Sequence, residues 1–407
     1  MKHVLHVTEE LSKKNYSISS LIFFLSEYIE KNIKIKHTIL TTYLQREIFK
    51  EQQNVKVLNL SLLKNFFTIN KTISFHIKNV DIVHIHGLWR WINFIVVFYC
   101  IINGKNFYVH PHGMLLKAAL KNKGLINFII KNFVIFFYKI ISRYNVKFIS
   151  ITNQETLSIK RYFKNVKIKF IPNPIPFNLG KNEEHEITKT FVFFGRIHPI
   201  KNLELMIDAF KLANLDDSWK LHIYGIDDDK KYLLNLKEKI KNLHNIEIKN
   251  PIFGNNKQKI LNSSWANILL SKSEVLSLSV LESASMELPS IVSEEIQIDQ
   301  FTTNEGESVK PNVKKVSKKI TDVSNWSLSQ RKTKGKLLKK FIEEHYSIEA
   351  IAKNYFDIYE KNNIEVKDNS FNFLNYFANK IRKYPILNTS LSYILNLMIP
   401  TFMMVLM

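Results

Sequence analysis

The stretch SKSEVLSLSVLESASMELPS, Ser271 to Ser290, decides how this chain is read. Immediately before it, ANILL, Ala266 to Leu270, is a short apolar run that predicts a buried strand. After Ser277 the residues Leu278, Leu281, Ala284 and Ser285 recur at three-to-four spacing, which predicts a helix. Glu274 then falls in a strand-to-helix loop and Glu282 about one turn into the helix. At the carboxyl end of a parallel strand, the backbone N–H groups of such a loop point into the crevice where α/β folds bind ligands. The helix start suits a phosphate, and carboxylates repelled by it would reach past to sugar hydroxyls. Taken alone, Glu274 also fits a helix cap and Glu282 a solvated helix charge.

On both sides of that stretch, strands and helices alternate. Upstream, KTFVFFGR (Lys189 to Arg196), WKLHIYG (Trp219 to Gly225) and IEIKN read as strands, while NLELMIDAFKLA, KKYLLNLKEKIKNL and KQKILNSSW read as helices. Phe170 to Glu186 carries three prolines, a glycine and a charge run, the composition of a linker between domains. Before that linker the same alternation appears once already. KHVLHV opens as a strand, TEELSKKNYS reads as a loop and SISSLIFFLSEYIEKN as an amphipathic helix. KHTILTT, NVKVLNL, VDIVHIHG (Val80 to Gly87), KNFYVHPHG (Lys105 to Gly113) and VKFISIT (Val146 to Thr152) follow as strands. Helical segments between most of them predict a parallel sheet.

A length of 407 residues with 45% hydrophobic content accommodates two domains, each with its own core. The formal charge of +22 favours polyanions: anionic lipid, nucleic acid or phosphorylated substrates. Nucleic-acid binding rests on that charge alone, without a recognisable binding motif. The single cysteine, Cys100, excludes an internal disulfide framework and fits a reducing compartment. MKHVLHVTEE is charged within its first ten residues and reads as strand and turn rather than as a signal peptide.

Three features carry chemistry or mimic it. In GRIHPIKN, Gly195 lets the backbone turn at the strand end, and Arg196 and Lys201 flank the start of the next helix. A guanidinium, an ammonium and a helix N-terminus together suit a diphosphate; the plain alternative is two surface cations. The pairs His84 and His86, and His110 and His112, each fall on one face of a strand end. They read as one satisfied core histidine per pair, as crevice-facing His86 and His112 beside Gly87 and Gly113, or as a zinc site. The last is weakened because no Cys, Asp or Glu accompanies the histidines at the strand ends. Asp227 to Asp229 contains an Asp-x-Asp spacing of the metal-binding kind, and reads as a solvated turn.

Taken in order, FFGRIHPIKN, LHIYG, IFGNNKQKILNSSWANILLSKSE and the Glu274 to Glu282 pair resemble the donor-binding half of the retaining GT-B glycosyltransferases of family 4. DIVHIHGLW (Asp81 to Trp89), PHGML (Pro111 to Leu115) and FIPNPI are similar to members that build bacterial surface polysaccharides. The resemblance implies an α/β GT-B fold: two Rossmann-like doubly wound domains facing across a cleft, with a C-terminal helical and apolar tail. Residues 1–175 would form the acceptor domain, 187–345 the nucleotide-sugar donor domain, 346–363 a closing helix and 364–407 a basic, apolar tail. It implies a catalytic set of His112, Glu274, Arg196 and Lys201, and a donor-binding set of Gly195, Arg196, Lys201, Glu274, Leu278 and Glu282. Arg196 and Lys201 would clamp the diphosphate, Glu282 the ribose and Glu274 the sugar, with His112 near the anomeric carbon. Transfer would retain configuration and need no cofactor or metal. The implied partners are a nucleotide-diphosphate sugar and a lipid-linked saccharide acceptor, with no nucleic acid.

This chain departs from the family pattern at three places. SKKNYS, Ser12 to Ser17, stands where glycines are usual, as do Val275 to Ser277 for small residues and Glu287 and Leu288 for a glycine before Pro289. Those departures leave open a non-catalytic GT-B protein that binds glycan or partners. Trp91 to Gly104 is uncharged but too short to span a bilayer and reads as a buried helix. Residues 114–144 mix lysines with Phe and Ile, which fits a helix on an anionic membrane surface or a core helix with a basic face. Residues 384–407 carry no charge and are long enough to span, although Pro385 and Pro400 interrupt them. The tail fits a membrane-seated segment, a helix packed on the protein or a degraded end; membrane contact, the favoured reading, places the expected location in the cytoplasm, peripheral on the inner face of the bacterial plasma membrane.

Overall fold

A computed structural model describes residues 2–12, 16–45, 55–63, 65–120, 125–142, 146–175, 186–296, 298 and 307–361. The uncharged tail, most of the Pro-rich linker and part of the first strand-to-helix loop lie outside the described residues. Two compact units result: Met1–Ile171 with the segment from Ala352, and Pro172–Ile351.

In the first unit, the strands are β1 (His3–Leu11), β2 (Lys36–Leu44), β3 (Lys56–Asn59), β4 (Ile82–His86), β5 (Asn106–His110), β6 (Lys147–Ser150) and β7 (Lys167–Phe170). They pair in parallel in the order β3-β2-β1-β4-β5-β6-β7. The helices α1 (Tyr16–Ile33), α2 (Phe66–Lys78), α3 (Trp91–Ile102), α4 (Lys117–Leu120), α5 (Leu125–Ile141) and α6 (Asn153–Tyr162) lie between strands in the chain. Parallel pairing needs such crossovers, and helices on the sheet explain why every residue of β4 is buried. Strand order reverses between β1 and β4, so their carboxyl ends flank a topological switch point. The uncharged segment after Trp91 is the helix α3, burying Ile92, Val96, Val97 and Cys100. No helix among the described residues is long and apolar enough to cross a membrane.

One expected boundary moves. Thr8 to Leu11 belong to β1 rather than to a loop, because the ladder with β2 continues to Leu11↔Leu44 and Leu11 is fully buried. Backbone pairing there outweighs the polar run Thr8-Glu9-Glu10 that suggested a loop. β7, and two strands of the second unit, were not legible because runs as short as KIKF carry little periodic signal.

The second unit pairs β8 (Thr190–Ile197), β9 (Lys220–Asp227), β10 (Ile246–Lys249), β11 (Ala266–Leu269), β12 (Ser290–Ser293) and β13 (Glu307–Val309) in the parallel order β10-β9-β8-β11-β12-β13. Helices α7 (Leu203–Ala213), α8 (Lys230–Ile240), α9 (Gly254–Ser263) and α10 (Leu278–Ser285) alternate with its strands. The helices α11 (Val313–Ser324) and α12 (Leu328–His345) follow, and α13 (Ile348–Lys361) belongs from Ala352 onward to the first unit. A core of Phe191, Phe193, Met206, Leu221, Ile268, Leu281 and their neighbours fills the unit. Here the switch point lies between β8 and β11.

Glu287, one of the departures noted above, occupies the left-handed region at φ 55°. A glycine is still required nearby: a Cβ on Gly335 of α12 would sit 2.1 Å from the Glu287 carbonyl oxygen. Because the clash is with backbone, it does not relax by a rotamer change. Gly335→Ala should therefore lower stability by about 1–3 kcal/mol, the usual cost of overpacking, read from the midpoint of urea unfolding.

Candidate functional site

At the switch point of the second sheet two loops meet. One follows β8 through the turn Pro199–Lys201 to α7, and the other joins β11 to α10. The Lys272 N–H donates to the Ile200 carbonyl at 2.8 Å, tying them together. Ser293 Oγ donates to the Ser271 carbonyl at 2.7 Å, which fixes the second loop to the end of β12. His198 Nδ1 accepts the Ile200 N–H at 3.1 Å, and Asn202 turns the chain into α7 at φ 57°.

The expected residues are placed as follows. Lys201 Nζ pairs with Glu274 Oε1, both side chains largely buried, and Ser271 Oγ donates to the same oxygen at 2.7 Å. Glu282 is buried in α10 and pairs with Lys257 of α9, whose ammonium also lies 5.1 Å from the Phe194 ring centroid. So Glu282 is not a solvated helix charge. Lys257, which the sequence reading missed, is its counterion; it opens the predicted helix KQKILNSSW, within a stretch quoted for the resemblance, but was assigned no role there. Arg196 stays half exposed and meets Asp228 at 3.0 Å. Leu278, the first residue of α10, packs against the core rather than standing free.

One reading needs correction. Gly195 is not at a tight turn: β8 runs on to Ile197, and Gly195 pairs with Gly225 of β9. Its small size is needed for space, since a Cβ would lie 2.8 Å from Phe193 Cζ. The Asp227 to Asp229 run is a solvent-facing turn, as expected, with Asp227 and Asp228 exposed; Asp228 holds Arg196 and Asp229 caps α8 by accepting the Tyr232 N–H at 3.0 Å.

The first unit gathers more histidines than the two pairs suggested. His84 and His86 lie on one face of β4, and register places His6 beside His84 and His110 beside His86. His37 joins from β2. His112 is not on a strand, since β5 ends at His110; it sits in the following turn at φ 49°. Four rings form a chain: His37 Nδ1 to His6 Nε2 at 3.1 Å, His6 Nδ1 to His86 Nε2 at 3.0 Å, and His86 Nδ1 to His112 Nε2 at 2.9 Å. His84 Nδ1 meets His110 Nε2 at 2.7 Å. Burial lowers His6 to about 3 and His112 to about 4, and with neighbouring histidines keeps His37, His84, His86 and His110 well below the usual imidazole value. Neutral rings carry one proton each, so every tautomer in the chain is set by its neighbour. The signal for His6 and His37 was present in KHVLHV and KHTILTT, but only strand register brings them to His84 and His86.

Glu155 holds the turn that carries His112. Fully buried near the start of α6, it accepts the Gly113 N–H with Oε1 and the Ile151 N–H with Oε2, the latter at 2.8 Å. Burial raises its carboxyl to about 7, against the lowering effect of those two N–H bonds.

Comparison with known proteins follows from this geometry. Residues 175–347 match the family model Glycosyl transferases group 1, so the chain carries a glycosyltransferase group 1 domain there. No curated protein gives a significant match in sequence. A glycosyltransferase from Rickettsia africae ESF-5 superposes with a TM-score of 0.72 at 18% identity, covering 89% of this chain and 99% of that one. HepE from Anabaena, in complex with UDP and glucose, reaches 0.69 at 11% identity over 89% of this chain and 100% of its own. WaaG, a glycosyltransferase involved in lipopolysaccharide biosynthesis, reaches 0.63 at 11% identity over 87% and 99%. At these identities the likeness is one of fold: two Rossmann-like α/β units of the GT-B kind.

Removing the Glu155 carboxylate strands two buried N–H groups. Glu155→Ala should cost about 2–4 kcal/mol by urea unfolding. The pH dependence has a definite sign. Between the unfolded value of 4.5 and the folded value of about 7, the folded protein binds a proton that the unfolded chain does not. The Glu155 contribution is thus present in full below about 4.5 and lost as pH rises to about 7, and Glu155→Gln should remove that part of the stability-versus-pH profile.

Proposed function

We propose that this protein is a retaining glycosyltransferase that moves a sugar from a nucleotide-diphosphate donor to a lipid-linked saccharide in bacterial surface polysaccharide synthesis. The observation that carries this reading is the pairing of Lys201 with Glu274 at the β8 and β11 switch point, inside a glycosyltransferase group 1 domain. A diphosphate arriving beside α7 competes with Glu274 for the Lys201 ammonium. The released carboxylate can then accept hydrogen bonds from sugar hydroxyls. Arg196, held near by Asp228, supplies a second cation, and the two neutralise the charge that grows on the leaving diphosphate. Glu282, oriented by Lys257, accepts from the ribose hydroxyls. His112 contacts the donor sugar.

In the transfer step, the acceptor hydroxyl oxygen bonds to the anomeric carbon as the bond from that carbon to the diphosphate oxygen breaks. The hydroxyl proton passes to the leaving phosphate oxygen, on the same face of the sugar, so configuration is retained. No metal is assigned to this step, because Arg196 and Lys201 provide the positive charge.

A membrane-borne acceptor is supported by α5. It leaves Phe128, Ile129, Phe133 and Phe136 exposed on a helix that also carries Lys131 and Lys139. Exposed aromatic and apolar side chains with lysines beside them suit the headgroup region of an anionic bilayer. The location this supports is the inner face of the plasma membrane.

Two measurements test the proposal. In a thermal-shift panel of UDP, GDP and ADP, one nucleotide should raise the melting temperature of the wild type. Lys201→Ala and Glu282→Ala should each weaken its binding roughly 10- to 100-fold, the loss of a charge-assisted hydrogen bond. No shift with any nucleotide would favour a non-catalytic glycan-binding role instead. Separately, Phe128→Ser with Phe136→Ser should reduce co-sedimentation with vesicles containing anionic lipid. Unchanged sedimentation would remove α5 as the contact.

A further inference from the structure

We propose that His86, His110 and His112 form a binding site for a late first-row divalent cation of the zinc class. One nitrogen from each ring lies within 4.8 Å of the others, and all three belong to the carboxyl end of the first sheet. His110 Nδ1 is buried and has no hydrogen-bond partner, a rare condition for a polar atom in a protein interior. A bound cation is one of the few things that satisfy a lone pair in that position.

For His86 and His110 the surrounding contacts are those of a prepared ligand set, whereas His112 Nδ1 is buried without a partner. Metal-bound histidines characteristically hold their second ring nitrogen in a hydrogen bond, which fixes ring and tautomer. His86 has Nε2 on His6 at 3.0 Å, leaving Nδ1 toward His112. His110 has Nε2 on His84 at 2.7 Å, leaving Nδ1 unpartnered. With the proton of His110 on Nε2 and that of His86 on Nε2, both Nδ1 atoms carry a lone pair, and the two rings, 4.5 Å apart between centroids and 26° from parallel, must rotate to aim them at one cation. The hydrogen now between His86 and His112 is then His112's own; binding shifts it to His112 Nδ1, and the two nitrogens, 2.9 Å apart, open by ~0.5 Å to take the cation between them.

Scaffold and distances are compatible with this. His86 and His110 are paired residues on adjacent strands, and the Glu155 bond to Gly113 restrains the His112 turn. Metal–nitrogen bonds of about 2.0–2.1 Å put tetrahedral ligand atoms ~3.4 Å apart, so the widest pair must close by up to ~1.4 Å. Small ring rotations supply that movement. An all-imidazole donor set selects zinc, cobalt, nickel or copper over magnesium or calcium, which prefer oxygen. Three protein ligands leave a fourth position for water or a ligand oxygen. This site lies outside the residues assigned to transfer apart from His112, and it stands whether or not the transferase reading does.

The test uses the full chain without a histidine tag, stripped with chelator and titrated with cobalt(II). One equivalent should bind and give the visible absorption of four- or five-coordinate cobalt, displaced by zinc and not by magnesium. His110→Ala should lose those bands and weaken binding at least tenfold, while His244→Ala, at an exposed histidine, should leave them unchanged. His112→Asn is the second variant, because asparagine tolerates the positive φ of that turn; it too should lose the bands. Absence of bands in the wild type, or bands that persist in His110→Ala or His112→Asn, would overturn the proposal.

Discussion

Parallel strand pairing is the constraint on which the rest depends. A parallel ladder cannot be closed by a tight hairpin, so each strand returns through a crossover, and all the carboxyl ends come out on one edge of the sheet. In the second unit this brings the loops after β8 and β11 side by side, although their residues lie more than sixty positions apart in the chain. In the first unit the same rule sets β1, β2, β4 and β5 side by side, so that histidines from four separate segments meet, running from His37 near the start of β2 to His86 and His110 at the ends of β4 and β5. Chemistry-bearing residues collect at those edges because backbone hydrogen bonding leaves the strands no other arrangement.

Charge and burial then divide the labour between the two units. The second unit places carboxylates beside lysines, so neither partner is left as an isolated buried ion, a state far more costly than the pair. Such pairs can be reorganised by a ligand that offers stronger opposite charge. The first unit has the reverse character: its imidazoles are buried, neutral and bonded to one another, with Glu155 as the nearest buried carboxyl and its oxygens taken by backbone N–H groups. A site of that kind offers lone pairs rather than charge.

Much of the fold was legible. Strand and helix alternation, glycines after β4 and β5, and the uncharged run that became α3 all follow from local periodicity and side-chain volume. Legibility failed where tertiary contacts decide. β1 continues through Thr8 to Leu11 because β2 lies alongside, not because those residues prefer a strand. Gly195 announced a turn but serves a packing need against Phe193, a contact that spacing does not encode. His112 looked like a strand residue paired with His110, whereas the chain leaves β5 before reaching it.

By itself the sequence determined the two α/β units, the strand-to-helix loop that holds Glu274, and the turn of α10 that holds Glu282, because periodicity and side-chain type act over a few neighbouring residues. Only the tertiary structure decided what those carboxylates touch. It turned the cap and surface charge of a local reading into partners of Lys201 and Lys257, and it gathered His37, His6, His86 and His112 into a hydrogen-bonded chain beside the bonded pair His84 and His110. Counterions and ring neighbours come from strands distant in sequence, so their identity is set by sheet order and register, which no local pattern contains.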